Sequence, residues 1–552
     1  MKAFTEPLLS LAGFEEMTKT AEKSSGLISV TGCIDAQKSQ MIYAFGGHRK
    51  NKLIVTFGEQ KAKELYDEYS FFDKEVVYYP SKDVLFYQSD IRGNLLTAER
   101  IRALKAIREQ ERVTLVTTFD ALMNTMAPIE KMWENVLTLE QGQLLDLKEI
   151  QAALIRMGYE KEYQVQTMGQ FSVRGGILDV FPLTEENPIR IELWGDEIDT
   201  IRYFDCESQK SIENIDRVSI YPAAELVLSD EEKAGGIEKL KAEAKRVSDK
   251  LRKQMKTEEA HRVTVMADEL TEEWGELSMY AGMDAFLSYF FDERVGLLDY
   301  FKPSDSLIFF DELTRCAEQG KLTETEFSES MKQRLAMGYI LPGQMNGLFT
   351  EKEIVAKLEK YSCIALGALD NKANGLHQLG SYGIHCQSVS PYNNSFELLI
   401  KDLKRYKKNG YRVILLSGSR TRAKRLSEDI TDQGITCFYT ENYDHELLEG
   451  QIMVCYGKVR RGFEYPILKF AVITESDIFG AQQKKKKRHR TYEGEKIQSF
   501  TDLSVGDYVV HENHGLGIYR GIEKLEVDKK VKDYIKIEYQ GGSNLYILAT
   551  QL

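Results

Sequence analysis

The stretch Gly32 to Ser39, GCIDAQKS, has almost the residue types and spacing of a phosphate-binding loop. It runs glycine, four residues, a position such loops fill with a second glycine, then Lys38 and Ser39. The glycines of such a loop let backbone N–H groups face phosphate oxygens in conformations that a Cβ penalises. Here the second glycine position is Gln37, whose side chain should fill or distort the cradle. Asp35 adds negative charge where phosphates would sit. Much later, Ser306 to Glu312 reads SLIFFDE, an apolar strand ending in Asp311 and Glu312. That is the form of a Walker B strand, although alone it also reads as an ordinary buried strand with a polar exit. In this order the two half-matches predict an ATPase fold whose nucleotide site (Gly32, Gln37, Lys38, Ser39, Asp311, Glu312) is degenerate and binds no ATP.

A second constellation lies in Gly169 to Asp205, GQFSVRGGILDVFPLTEENPIRIELWGDEIDTIRYFD. Apolar residues alternate through Phe171 and Val173, run together from Ile177 to Phe181, and alternate again through Ile189, Ile191 and Leu193. Turn residues separate these runs at Gly175-Gly176, at Pro182 with Thr184 to Asn187, and at Gly195-Asp196. The pattern predicts a small antiparallel unit with one buried face. Its outward positions carry Arg174, Arg190 and Trp194, a composition typical of binding hot spots. Two forked donors beside an aromatic anchor suit an acidic partner. The same pattern also fits a solvated strand face with Trp194 half-buried.

These residues sit in a chain of 552 residues, long enough for roughly three to five domains. Its net charge of −13 argues against a chain that coats nucleic acid through its overall field and favours a platform for protein partners. Seven scattered cysteines form no CxxC pair, and eight histidines show no HExxH spacing, so no metal site or disulfide framework is expected. No apolar run is long enough to span a bilayer, so the chain is expected to be soluble and cytoplasmic, with no membrane partner.

Strand-like runs at Leu27–Val30, Leu53–Phe57, Val76–Tyr79 and Val113–Thr118 alternate with helical patterns such as Thr97–Glu109, which implies a parallel sheet. Ser304–Asp311 should return a strand to it. Asp146–Met157 and Glu231–Thr257 read as helices, whereas Glu324–Gln344 is weakly patterned. From about Cys386 to Gly480 another α/β unit follows, with helices at Phe396–Lys408 and Arg420–Thr431. Gly418-Ser419 is a strand-to-helix turn with no phosphate role. Ala481–Ser499, with its basic run Lys484–Arg490, reads as a charged connector that could also touch a phosphate backbone. Ser504–Leu552 has short strands and tight turns, the signature of a small SH3-like barrel. Leu525, just before a charged turn, is placed at its rim.

Three blocks in this order resemble the bacterial transcription-repair coupling factors (Mfd): FSVRGGILDVFP with RIELWGDEIDTIRYFD, then GKVRRGFEYPILKFAVITESDIFG, then VGDYVVHENHGLGIYRGIEKLE with KDYIKIEYQGGSNLYI. The first pair is shared with the excision-repair protein UvrB, and the last block is similar to CarD-type RNA-polymerase-interacting domains. The resemblance implies an α/β multidomain fold. Residues 1–125 and 213–350 would form a UvrB-like degenerate helicase-type module, and 126–212 an inserted UvrA-binding domain. A small α/β domain would occupy 351–480, a basic linker 481–500, and an incomplete CarD-like SH3/Tudor-type barrel 501–552.

It further implies that Arg174, Arg190 and Trp194 meet UvrA. Leu525, with Ile535 and Ile537 nearby, would meet the RNA polymerase β subunit, although both isoleucines could as easily be core. Val84–Thr97 is too short for the damage-probing hairpin of UvrB. Family members continue into an ATP- and Mg-dependent double-stranded DNA translocase whose motifs do not occur here. The resemblance therefore implies an N-terminal portion that binds rather than catalyses, needs no cofactor, and meets DNA mainly through that motor. The alternatives are a UvrB-type damage-verifying ATPase and a CarD-like transcription regulator without a repair role.

Overall fold

The computed structural model describes residues 1–45, 49–82, 94–206, 208–276, 283–369, 375–480, 506–511, 515–527, 530–539 and 544–548. The basic run Lys484–Arg490 and most of Val84–Thr97 lie outside them. Among the described residues no helix is long and apolar enough to cross a membrane.

The first sheet has seven parallel strands, in the order Gln378–Gly383, Gly26–Thr31, Ser362–Leu366, Ser306–Asp311, Asn51–Thr56, Val113–Thr118, Val77–Tyr79. Most of its strands are buried along nearly their whole length, as expected where helices cover both faces of a parallel sheet and the strands read as continuous apolar runs. One face shares a core with the helices Asn94–Glu109 and Leu313–Ala336. The strand ending in Asp311 lies one strand away from the partner of the Gly26–Thr31 strand, so the two half-motifs open on the same edge of the sheet.

Sheet membership moves one expected boundary. Ser362–Leu366 and Gln378–Gly383 pair within the first sheet, so the unit expected to begin at 351 begins after Gly383. Its own sheet holds the parallel strands Arg412–Ser417, Ile452–Tyr456 and Phe470–Thr474. The helices Phe396–Lys408 and Arg420–Asp432 cover one face. The other face, through Ile414, Leu416, Met453 and Val472, joins the core under the first sheet's helices. The two α/β units are thus fused through one apolar layer. The weakly patterned Glu324–Gln344 lies largely within the long helix Leu313–Ala336.

The inserted unit has its own core, built from Leu154, Phe171, Leu178, Ile191 and Ile201 among others. Its six-stranded sheet runs Ser211–Ile215, Glu197–Phe204, Ile189–Trp194, Ile177–Val180, Gln170–Arg174, Glu160–Lys161. A further pair, Leu137–Glu140 with Arg217–Ile220, belongs to the same core, so the unit extends past the expected limit at 212. A buried ionic cluster ties its exit to the first sheet. Arg100 is fully buried and donates to Glu225 at 2.7 Å and to the Pro80 carbonyl at 2.6 Å. Lys82 joins Glu225 at 2.9 Å and Asp284 at 3.0 Å. Burial pushes the Glu225 carboxyl up, but Arg100 and Lys82 outweigh it and hold it down at about 2.

The C-terminal segment is a four-stranded antiparallel meander, Tyr508–His511, Gly515–Val527, Lys530–Glu538, Asn544–Leu548. Its closure into a barrel is not seen among the described residues.

Candidate functional site

The phosphate-type crest is occupied by the protein itself. Gly32 turns the chain at φ 79°, and the Ile384 carbonyl stands 2.1 Å from where a Cβ would be, so only glycine fits there. The first two amides of the loop are already bonded within the protein. Gly32 N–H donates to the Ala368 carbonyl at 3.2 Å and Cys33 N–H to the Gly367 carbonyl at 3.0 Å. Burial pushes the Cys33 thiol up to about 11, which leaves it no nucleophile at neutral pH.

Gln37 is fully buried, and the Tyr465 hydroxyl from the second α/β unit donates to its side-chain oxygen at 3.3 Å. Lys38 is equally buried, with Asp311 Oδ1 at 2.5 Å, Glu312 Oε1 at 3.0 Å and Asp35 Oδ1 at 3.1 Å around its ammonium. Burial works against that charge, but the carboxylates outweigh it and raise the Lys38 pKa above the usual lysine value. Thr56 donates to the other oxygen of Asp311 at 3.0 Å. Ser39 is buried, and its hydroxyl has no hydrogen-bond partner among the described residues. The lysine and carboxylate that an ATPase would spend on nucleotide and metal are spent on each other. In the second α/β unit the Gly418-Ser419 turn is closed the same way. Glu475 accepts from Gly418 N–H at 2.6 Å and Ser417 Oγ at 2.9 Å, and pairs with Arg422.

The outer face of the antiparallel unit is differently made. Arg190 stands opposite both Asp179 and Arg202 in the ladder, so these side chains share a face. Asp179 is buried, with 1% of its surface exposed. Arg174 Nη2 donates to Asp179 Oδ2 at 2.8 Å. Arg190 donates to the same carboxylate through Nε at 2.7 Å and Nη2 at 2.9 Å, and its guanidinium lies 4.3 Å from the centre of the Phe204 ring. One strand over, Arg202 pairs with Glu192, and Thr200 donates to Glu192 at 3.2 Å. The two arginines expected to stand ready for an acidic partner are therefore braced by a carboxylate beneath them. Asp179 stands on the Arg190 face inside ILDV, a run that reads as apolar core, so local pattern gave no signal for this brace. Trp194, which a merely solvated strand face would leave half-buried, is 84% exposed. Braced arginines hold the strand in place while the Trp194 ring stays exposed.

In the C-terminal sheet Leu525 pairs with Lys532, and Ile535 lies between Ile522 and Ile547. Ile537 is 5% exposed, packed over Gly517, so it serves the core of this sheet rather than a surface.

Two α/β units fused through one core, an inserted antiparallel unit and a C-terminal meander make up the fold, and comparison with known proteins shows what the chain is similar to. The UvrB interaction domain family matches residues 137–226, and the CarD-like/TRCF RID domain family matches residues 503–552. The transcription-repair-coupling factor of Bacillus subtilis (strain 168) is 30% identical over 502 residues, 90% of this chain and 42% of that protein. That of Staphylococcus haemolyticus (strain JCSC1435) is 29% identical over 95% of this chain and 44% of its own length. That of Staphylococcus aureus (strain MRSA252) is 28% identical over 98% of this chain and 46% of its own. The chain is similar to transcription-repair-coupling factors over most of its own length and spans less than half the length of those it matches.

Proposed function

We propose that this chain acts as a two-ended adaptor that links stalled transcription to excision repair. The Arg174–Arg190–Trp194 face recruits UvrA, and the C-terminal sheet meets the RNA polymerase β subunit around Leu525 and Ile535. The observation that carries the first half is Trp194, 84% exposed on a strand braced by Asp179, inside the segment similar to UvrB interaction domains. A Trp side chain buries roughly 150–250 Å² on docking, and aromatic and arginine anchors dominate interface energetics. The second half is supported by the match of residues 503–552 to the CarD-like/TRCF RID family. ATP-driven displacement of polymerase is proposed for the longer relatives and for no residue described here, because Lys38 and Asp311 neutralise each other.

The test is reciprocal. Trp194→Ala should weaken UvrA capture and leave polymerase binding intact, and Leu525→Arg should do the opposite. Loss of both partners in either variant would mean misfolding and would remove the assignment. The reading as an active UvrB-type ATPase requires saturable, Mg-dependent ATP binding by the wild-type chain.

A further inference from the structure

We propose that the docking surface continues from Trp194 across Glu197 to Leu144, and that it receives a basic segment of the partner carrying an apolar tip. This rests on the reading of the Trp194 face as the UvrA-docking surface and specifies what that face recognises.

Trp194 stands opposite Glu197 in the ladder. On its other side Glu197 bridges to Leu144. The segment around Leu144 is pinned to that edge like an added strand, with Leu145 N–H on the Asp196 carbonyl at 2.7 Å and Ile198 N–H on the Gln143 carbonyl at 2.9 Å. Paired residues share a face, and the neighbours Leu145 and Ile198 point inward, 5% and 1% exposed. Trp194, Glu197 and Leu144 therefore form one outward row, roughly 10 Å from end to end at two strand spacings. Trp194 is 84% exposed and Leu144 is 75% exposed. Two large apolar side chains so exposed in one row make a patch, the mark of an interaction site rather than of scattered surface residues.

The charge beside this row is negative. An open hollow of about 580 Å³ adjoins Trp194, and Glu140, Glu197, Asp199 and Asp216 line it. Its one lining cation, Arg217, pairs with Glu140 at 3.1 Å. The arginines of the neighbouring strands are turned onto Asp179 and Glu192. The field at the exposed ring is thus opposite in sign to the one that Arg174 and Arg190 suggest by residue type. A lysine or arginine of the partner entering the hollow would meet these carboxylates and could lie over the Trp194 ring. An apolar residue beside it would cover Leu144.

The experiment titrates UvrA into the full chain at low and moderate salt, with Leu144→Ser and with the paired change Glu197→Gln and Asp199→Asn. All three positions are exposed, and unchanged thermal unfolding confirms intact variants. Each variant should bind at least about five-fold more weakly, as expected for the loss of interface contacts, and the paired variant should also lose much of the salt dependence. Unchanged affinity in both variants overturns the proposal. Tighter binding by the paired variant also overturns it, because that is the response expected of an acidic partner. Trp194→Ala is the separating arm. If it leaves affinity unchanged, the docking reading falls and the proposal with it. If it weakens binding while the other variants do not, the proposal falls and the docking reading of Trp194 stands.

Discussion

Removing Lys38 separates the two meanings its position can have. In Lys38→Met the ammonium is lost from a site where lysine and Asp311 side chains are each 1% exposed. Deleting one partner of a buried ion pair costs about 3–5 kcal/mol, because the other charge is left without compensation. Asp35 is 71% exposed and adds little to the loss. Asp311 keeps its hydrogen bond from Thr56, which favours the lower end, about 3 kcal/mol. Adding Asp311→Asn removes the stranded charge and keeps an acceptor for Thr56, so the double variant should recover more than half of the loss. The raised Lys38 pKa sets the pH window. This stabilisation is fully present below the unfolded lysine value of about 10.4, and it is lost only as pH rises through the higher folded value. The loss should therefore be constant from pH 6 to pH 9. Because a chain of several domains does not unfold in two states, the readout is hydrogen exchange in the Gly26–Thr31 and Ser306–Asp311 strands. A loss under about 1 kcal/mol, or a double variant worse than the single one, would refute the ion-pair account.

Asp179→Asn should lower the stability of the inserted unit by about 1–2 kcal/mol, since both arginines it pairs with still reach water. It should also weaken UvrA binding although Asp179 itself is buried, and thermal unfolding with a UvrA titration checks both. Glu225, held at about 2, contributes stability above its unfolded value of about 4.3 and loses it as pH falls from there toward 2. Glu225→Gln should therefore be less stable at pH 7 and should lose stability less steeply than wild type below about pH 5. Parallel pH curves would contradict this linkage. Magnesium-ATP titrated calorimetrically into the wild-type chain should show no saturable heat, and a saturable isotherm would reopen the crest as a nucleotide site.

Much of this was legible in residue order because the signals were local. Leu53–Phe57 and SLIFFDE announce buried strands by their apolar runs, and Gln37 announces a spoiled cradle by standing where glycine belongs. What escaped was decided by groups far apart in the chain. Ser362–Leu366 and Gln378–Gly383 follow the first unit's other strands by many residues, so their return to its sheet rests on parallel pairing that no local pattern encodes. The helix Leu313–Ala336 buries Cys316 and Gly320 among its inward residues, and small residues blur an apolar stripe. Gly320 is there because the Phe119 ring comes within 2.5 Å of where its Cβ would lie. The arginines were read by type as free donors, whereas the buried carboxylate between them was hidden in a run that reads as pure core. The two carboxylates on Lys38 were suggested by motif order, but the seal that Tyr465 places over Gln37 comes from more than four hundred residues away.

The most direct measurement is the dissociation constant of UvrA for the full chain, wild type against Trp194→Ala. An anchor exposed at 84% and held on a braced strand should behave as a hot spot worth at least about 2 kcal/mol, a loss of roughly 30-fold in affinity. RNA polymerase binding should not change. Equal affinity of UvrA for the two chains would contradict the account at its centre.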